Sequence, residues 1–155
     1  WLYEGGISVP MLIHVPGIRP RTYTCPVTGA DIYPTMLDLA GLPLLPRHHK
    51  DGKSLKCLLM NKEVPIKCRE KLCRRQLFWH QGNTWGIKTT GNPRKSAMRR
   101  NKWKIIENLD NGDVELYDLV LDREERYNRS NEYPGLAKKM LNELARMRTH
   151  IQGQS

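Results

Sequence analysis

Apolar and polar positions along the chain follow two periods. Ser8 to Val15 (S-V-P-M-L-I-H-V) is a mostly apolar run closed by Pro16-Gly17. It predicts a buried strand, with Pro10 near its start where a missing N–H is tolerable and His14 as an ordinary strand residue. From Ala30 to Gly41 the period lengthens: Tyr33, Met36, Leu37 and Ala40 recur at three- and four-residue spacing. That predicts a helix with one apolar face. Asp31 is placed to cap its first amides, Pro34 falls in the first turn, and Gly41 supplies a C′ residue able to take positive φ. On this reading Asp38 is solvated surface rather than half of a carboxylate pair with Asp31.

Leu42 to Arg75 reads as loop-rich, with one short helical turn at Ser54–Met60. Strands are predicted at Gln76–His80, Ser96–Arg99, Trp103–Asn108 and Val114–Leu119, with a Gly/Asn/Thr-rich loop from Gln81 to Pro93. Asn111-Gly112 between the last two strands predicts a type I′ hairpin turn. Pro134 opens a final helix whose Leu136, Met140, Leu144, Met147 and Ile151 form a stripe that must lie on something. The hairpin sheet is the surface available. The second half is therefore a small antiparallel sheet covered by one C-terminal helix, and the chain as a whole is α+β.

Composition adds limits. At 155 residues the chain fits one domain, its 39% apolar and 27% charged shares exclude wholesale disorder, and its apolar runs are too short to cross a bilayer. It opens at Trp1 rather than Met, which predicts a fragment or a processed product. The net charge is +10, and Lys62 to Lys104 holds 13 Lys/Arg against Glu63 and Glu70, a local sum of +11. Such a segment is either a solvated surface or a contact for a polyanion, nucleic acid or sulfated polysaccharide. Trp79, Trp85 and Trp103 interleave with the cations, but no nucleic-acid-binding signature accompanies them, so nucleic acid is disfavoured.

Cys25, Cys57, Cys68 and Cys73 look too sparse for a disulfide scaffold, so free thiols, with at most one bridge, are expected. Cys68-x4-Cys73 lacks a following H-x3–5-H, and His48-His49 could complete a zinc site only by folding back. No phosphate-binding loop, dinucleotide fingerprint, nucleophile elbow or zinc-protease motif occurs, and Asp110–Asp122 does not fit an EF-hand. One N-x-[ST] acceptor stands at Asn128. The residues alone describe an α+β chain with a basic surface and no catalytic centre of recognised pattern.

Several segments nevertheless resemble one family in order and spacing. Tyr3-Glu4-Gly5-Gly6-Ile7 with Val9-Pro10 and Val15-Pro16-Gly17 is similar to the Y-E-G-G-x-R-V-P…W-P-G stretch of type I sulfatases. Asp31-Ile32-Tyr33-Pro34-Thr35-Met36-Leu37-Asp38-Leu39-Ala40-Gly41 resembles their D-x-x-P-T helix, and Asp51-Gly52 with Ser54-Leu55 their D-G-x-S-L. Phe78-Trp79-His80, then Arg99 and Trp103-Lys104, resembles F-W-H with [SA]-x-R-x-G-x-[WY]-K. Leu116-Tyr117-Asp118-Leu119 with Asp122, Glu125 and Asn128 matches L-Y-D-L-x-x-D-P-x-E-x-x-N. Ser8, Cys57 and Arg123 stand where the family has Arg, Pro and Pro.

The resemblance, to the arylsulfatase and N-sulfoglucosamine sulfohydrolase-like family, implies the C-terminal part of an alkaline-phosphatase-like sulfatase fold. Residues 1–60 would end the large α/β domain and residues 61–155 would form the small C-terminal subdomain. It implies sulfate-ester hydrolysis in a parent enzyme that uses calcium and a formylglycine made within C-x-P-x-R. No cysteine here has that context, and the family's metal ligands precede Y-E-G-G, so both are expected from a missing N-terminal catalytic portion. The 155 residues alone are then expected to be inactive, with no catalytic or metal-binding residue. Their expected contribution is a cleft edge: Trp79, His80, Lys95 and Arg99 for a sulfated small-molecule or carbohydrate substrate. Family habit implies an exported protein, periplasmic, secreted or lysosomal. The alternative is a stand-alone polyanion-binding module.

Overall fold

In the computed structural model, which describes residues 1–82 and 93–152, the chain forms two compact units. One joins Trp1–Pro10 to the chain from Gln76 onward; the other is Met11–Arg75. The predicted loop centre, with Trp85, lies outside the described residues.

The first unit is built on a sheet of β1 (Gln76–Gln81), β2 (Lys95–Arg100), β3 (Trp103–Asn108) and β4 (Val114–Asp118), antiparallel and in sequence order. Strand alternation gives it two buried faces. Met98, Ile105 and Leu116 pack with Ala137, Met140 and Leu144 of α5 (Pro134–Gln152). Leu136, Met140 and Leu144 of the periodic stripe therefore lie on the hairpin sheet, and Met140 is fully buried. Ion pairs fix the helix across the strands: Arg100 donates to Glu143 at 2.8 Å and Arg148 to Glu107 at 2.6 Å. The opposite face, with Ala97, Ile106 and Tyr117, packs against Leu2 and Ile7, the latter from the single-turn helix α1 (Glu4–Ile7).

The β3–β4 turn differs from expectation. Gly112 has φ +78°, but Asn111 does not share the positive φ that a type I′ turn needs. Asn108 N–H reaches Asp113 O at 2.9 Å and Gly112 N–H reaches Asn108 O at 2.8 Å, so four residues close the loop. The Asp113 and Asp110 amides donate to the side chains of Asn111 and Asn108, which stabilise this wider turn.

The second unit holds α2 (Ile32–Leu39), α3 (Lys56–Met60) and α4 (Ile66–Cys73). Ser8–Val15 is not a strand: no described strand pairs with it, and Val9, Leu12 and Ile13 stand exposed. An apolar run forms a strand only where another strand satisfies its backbone. The α2 faces are also reversed. Tyr33 and Met36 are exposed, while Pro34, Thr35 and the preceding Asp31 are buried. Its C-terminus follows the sequence reading: Gly41 has φ +70°, its N–H reaches Asp38 O, and Leu42 N–H reaches Leu37 O.

All four cysteines are oxidised, Cys25 with Cys73 and Cys57 with Cys68. Free thiols were expected from a density averaged over the whole chain. The four actually fall between residues 25 and 73, around a small cluster of Leu55, Leu58 and Leu72 that needs cross-links.

Candidate functional site

The cleft-edge candidates sit on the sheet, and strand alternation divides them. Trp79, Lys95 and Arg99 share the face of Ala97 and Ile106, whereas His80 and its cross-strand neighbour Ser96 share the face beneath α5.

On the first face the side chains meet the N-terminal segment. Lys95 Nζ donates to Tyr3 Oη at 3.0 Å, lies 4.8 Å from the centre of that ring, and is 3.7 Å from Glu115 Oε1. Burial acts to lower the Lys95 pKa, but the Tyr3 hydroxyl and the Glu115 carboxylate outweigh it and hold the ammonium above its usual value. Burial, reinforced by Glu115, also raises Tyr3 and Tyr117. Arg99 stands 3.4 Å from Glu4 Oε2 and donates to Asn101 O. Trp79 is half-buried against the Leu2–Ala97 cluster.

At the centre of this face is a residue that the sequence marked only as part of the Trp103-Lys104 motif and not as a site residue. Lys104, fully buried, lies 3.0 Å from Glu4 Oε1 and 2.8 Å from Glu125 Oε1. Glu125 Oε2 also accepts the Glu4 N–H, and Glu125 holds φ +56°, a left-handed conformation that a non-glycine residue adopts at a cost. The signal was present: Lys104 is two residues from Ile106 in a strand, so alternation puts it on the same buried face.

On the second face His80 Nδ1 is 2.9 Å from Ser96 Oγ. His80 and Ser96 line a shallow pocket with Phe78, Trp79, Leu144, Met147 and Arg148. The His80 ring is exposed and Ser96 is buried.

In the second unit the D-x-x-P-T and D-G-x-S-L motifs interlock. Asp31 accepts N–H bonds from Thr28 and Lys53, both at 2.8 Å, and pairs with both terminal nitrogens of Arg75. Burial opposes its ionisation, but Arg75 and the two amides outweigh that and hold its pKa below the usual carboxylate value. Asp31 was expected to cap α2; it instead closes a capping box with Thr28 one turn earlier and anchors the following loop. Thr35 Oγ1 accepts from Leu55 N–H at 2.9 Å. Ser54 Oγ donates to Asp38 at 2.6 Å and Lys56 Nζ lies 3.1 Å from it, so Asp38 is a partly buried ion-pair member rather than plain surface. Gly52 sits under this junction: a Cβ there would stand 2.1 Å from Ala30 O.

The sequence motifs near the chain's end are structural in the same sense. Asp122 accepts from Arg126 and Tyr127 amides, and Asn128 Oδ1 accepts from Leu116 N–H while its Nδ2 donates to Val114 O. Among the described residues no three His, Cys, Asp or Glu side chains stand together to hold a metal ion. Every cysteine is in a disulfide, so none offers a thiol for conversion to formylglycine. Among the described residues neither group thus finds a fitting set of side chains.

The model of the family described as N-sulphoglucosamine sulphohydrolase, C-terminal, matches residues 1–150. Arylsulfatase K of Mus musculus is 33% identical over 140 residues, covering 86% of this chain and 23% of that protein. Arylsulfatase K of Gallus gallus is 34% identical over 139 residues, covering 86% and 24%. The chain therefore spans about a quarter of the length of the curated relatives it matches. Among solved structures, BT4656 in complex with its substrate D-glucosamine-2-N,6-O-disulfate is 28% identical, with a TM-score of 0.54 over 80% of this chain and 23% of that one. Ps i-CgsB, at 20% identity, shares the fold with a TM-score of 0.64 over 86% of this chain and 27% of its own. An ordered set of motifs, a four-stranded sheet under a C-terminal helix, and a family match over nearly every residue converge on one assignment: the chain belongs to the N-sulphoglucosamine sulphohydrolase C-terminal family of sulfatases.

Proposed function

We propose that this chain is the supporting part of an enzyme that hydrolyses sulfate esters of carbohydrates, and that it releases no sulfate by itself. The observation that carries the reading is how the family's motif residues are used. Glu4, Asp31, Gly52, Lys104, Asp122, Glu125 and Asn128 all serve hydrogen bonds, ion pairs or close backbone approach within the fold. None of them is assembled into a nucleophile–base pair or a metal cluster. Calcium and formylglycine would come from a preceding catalytic portion, which would be this chain's main partner.

Residues 1–60 would finish the large α/β domain and residues 61–155 would form the small subdomain. The exposure of Leu12, Ile13 and Met36 supports the first part, since apolar surface of this kind calls for a cover. The Ser8–Val15 run would then pair with a strand the parent supplies. Trp79 and His80 are the better placed of the cleft-edge residues, because Lys95 and Arg99 are already paired with Glu115 and Glu4. The two disulfides support an oxidising, exported setting. The substrate bound to BT4656, a relative at 28% identity, supports a sulfated saccharide.

The test is sulfate release from sulfated saccharides by the full-length protein, followed by ion chromatography. Trp79→Ala and His80→Ala should raise KM by about tenfold with kcat little changed, the signature of lost substrate binding. Unchanged KM in both variants would remove these residues from the substrate edge, and no sulfate release by the parent would remove the function.

A further inference from the structure

The basic segment is not uniformly available to a ligand. Arg75, Arg94, Lys95, Arg99, Arg100, Lys102 and Lys104 are each paired with a carboxylate. Lys62, Lys67, Arg69 and Lys71 are exposed and have no carboxylate partner among the described residues. Three of those four lie on α4.

At about 100° per residue, Lys67, Lys71 and Arg74 fall within roughly 60° of arc around the α4 axis. Cys68, Leu72 and Cys73 occupy the other side. Leu72 is buried, and the two cysteines are bonded to Cys57 and Cys25. The helix is thus held by one side and displays a cationic stripe on the other. Arg74 spends part of its charge on Glu70 at 3.1 Å, an exposed pair of little strength. Helix electrostatics account for only part of the stripe: Lys71 in the last turn and Arg74 at the C-cap suit the macrodipole, but the first turn of α4 has no acid and carries Lys67, against it.

We propose that the Lys67–Lys71–Arg74 stripe docks a sulfated polysaccharide chain; the choice of sulfated saccharide rests on the sulfatase reading above. The stripe runs roughly 10 Å along the helix, which suits a polymer with repeated anionic groups rather than one small ion. Ile66 to Cys73 contains no aromatic residue on which a base could stack, which disfavours single-stranded nucleic acid. Disulfide anchoring presents the cations on a fixed backbone, so less freedom is lost on binding.

The test is binding of the full-length protein to heparin across a salt series, with hyaluronan and single-stranded DNA as comparison polymers. Lys67→Ala/Lys71→Ala/Arg74→Ala should weaken heparin binding at least about tenfold and reduce the slope of log K against log salt by about 2. The charge-keeping triple Lys67→Arg/Lys71→Arg/Arg74→Lys should retain it, as should Lys138→Ala/Lys139→Ala/Arg146→Ala on the exposed side of α5. Heparin should bind the parent more tightly than either comparison polymer. Unchanged binding in the α4 alanine triple, equal loss in both alanine triples, or DNA binding equal to heparin would each overturn the proposal. Sulfate release from sulfated saccharides is read separately: its absence in the parent, with α4-dependent heparin binding intact, would defeat the sulfatase reading and leave the docking surface standing.

Discussion

Glu4 and Lys104 are 100 residues apart in sequence, and their side chains meet at 3.0 Å with the ammonium wholly buried. Glu125 completes the arrangement at 2.8 Å from the same nitrogen. One cation between two carboxylates ties the N-terminal turn, β3 and the loop after β4 into a single unit.

Removing that cation should therefore be costly. Lys104→Met leaves Glu125 without its counter-charge and Glu4 with only Arg99, and should destabilise the protein by about 3–5 kcal/mol. Chemical denaturation measures the loss, and hydrogen exchange at Ile105 and Ile106 should localise it. A cost below about 1 kcal/mol would show that the pair is dispensable.

Two glycines should respond differently. Gly52→Ala places a methyl 2.1 Å from Ala30 O and must displace backbone; a loss of about 3 kcal/mol, at the upper end for overpacking, is expected. Gly41→Ala meets nothing within 4 Å but keeps φ +70°, so about 1–2 kcal/mol of conformational cost is expected. Thermal melts of both variants should rank Gly52→Ala as the less stable.

The disulfides should rank by loop length. Cys25–Cys73 closes a separation of 48 residues and Cys57–Cys68 one of 11. Chain entropy then predicts losses of about 4 and about 3 kcal/mol for the paired serine substitutions. Alkylation with mass analysis verifies each pairing, and denaturation of each double variant checks the order.

Asp31 should make stability depend on pH in one direction. Its pKa in the folded chain is lowered from 3.8, so its contribution is complete above that value and fades as pH falls through the lowered one. Acid titration of unfolding free energy should show this loss below about pH 4, and Asp31→Asn should flatten it while lowering stability at neutral pH. A parallel acid slope in the variant would assign the effect to other groups.

Legibility in the sequence followed local periodicity. β3 and the start of α5 were readable to the residue, because Ile105, Met140 and Leu144 repeat with the period of their own element. α4 was missed: its buried side is made of Cys68, Leu72 and Cys73 amid cations, so no conventional apolar stripe marks it. α2 was found but turned over, since a buried Asp31 and Thr35 outweigh the exposed Tyr33 and Met36 only once Arg75 and Leu55 arrive from distant sequence. Trp79, His80, Lys95 and Arg99 were readable as one sheet region, but their division between two faces needed the strand register.

The most direct test of the central claim is sulfate release from a sulfated saccharide, followed by ion chromatography side by side for the full-length protein and for these 155 residues alone. The account predicts release by the full-length protein and none by the isolated chain, even where circular dichroism shows that chain folded. Release by the isolated chain, or none by the full-length protein, would contradict it.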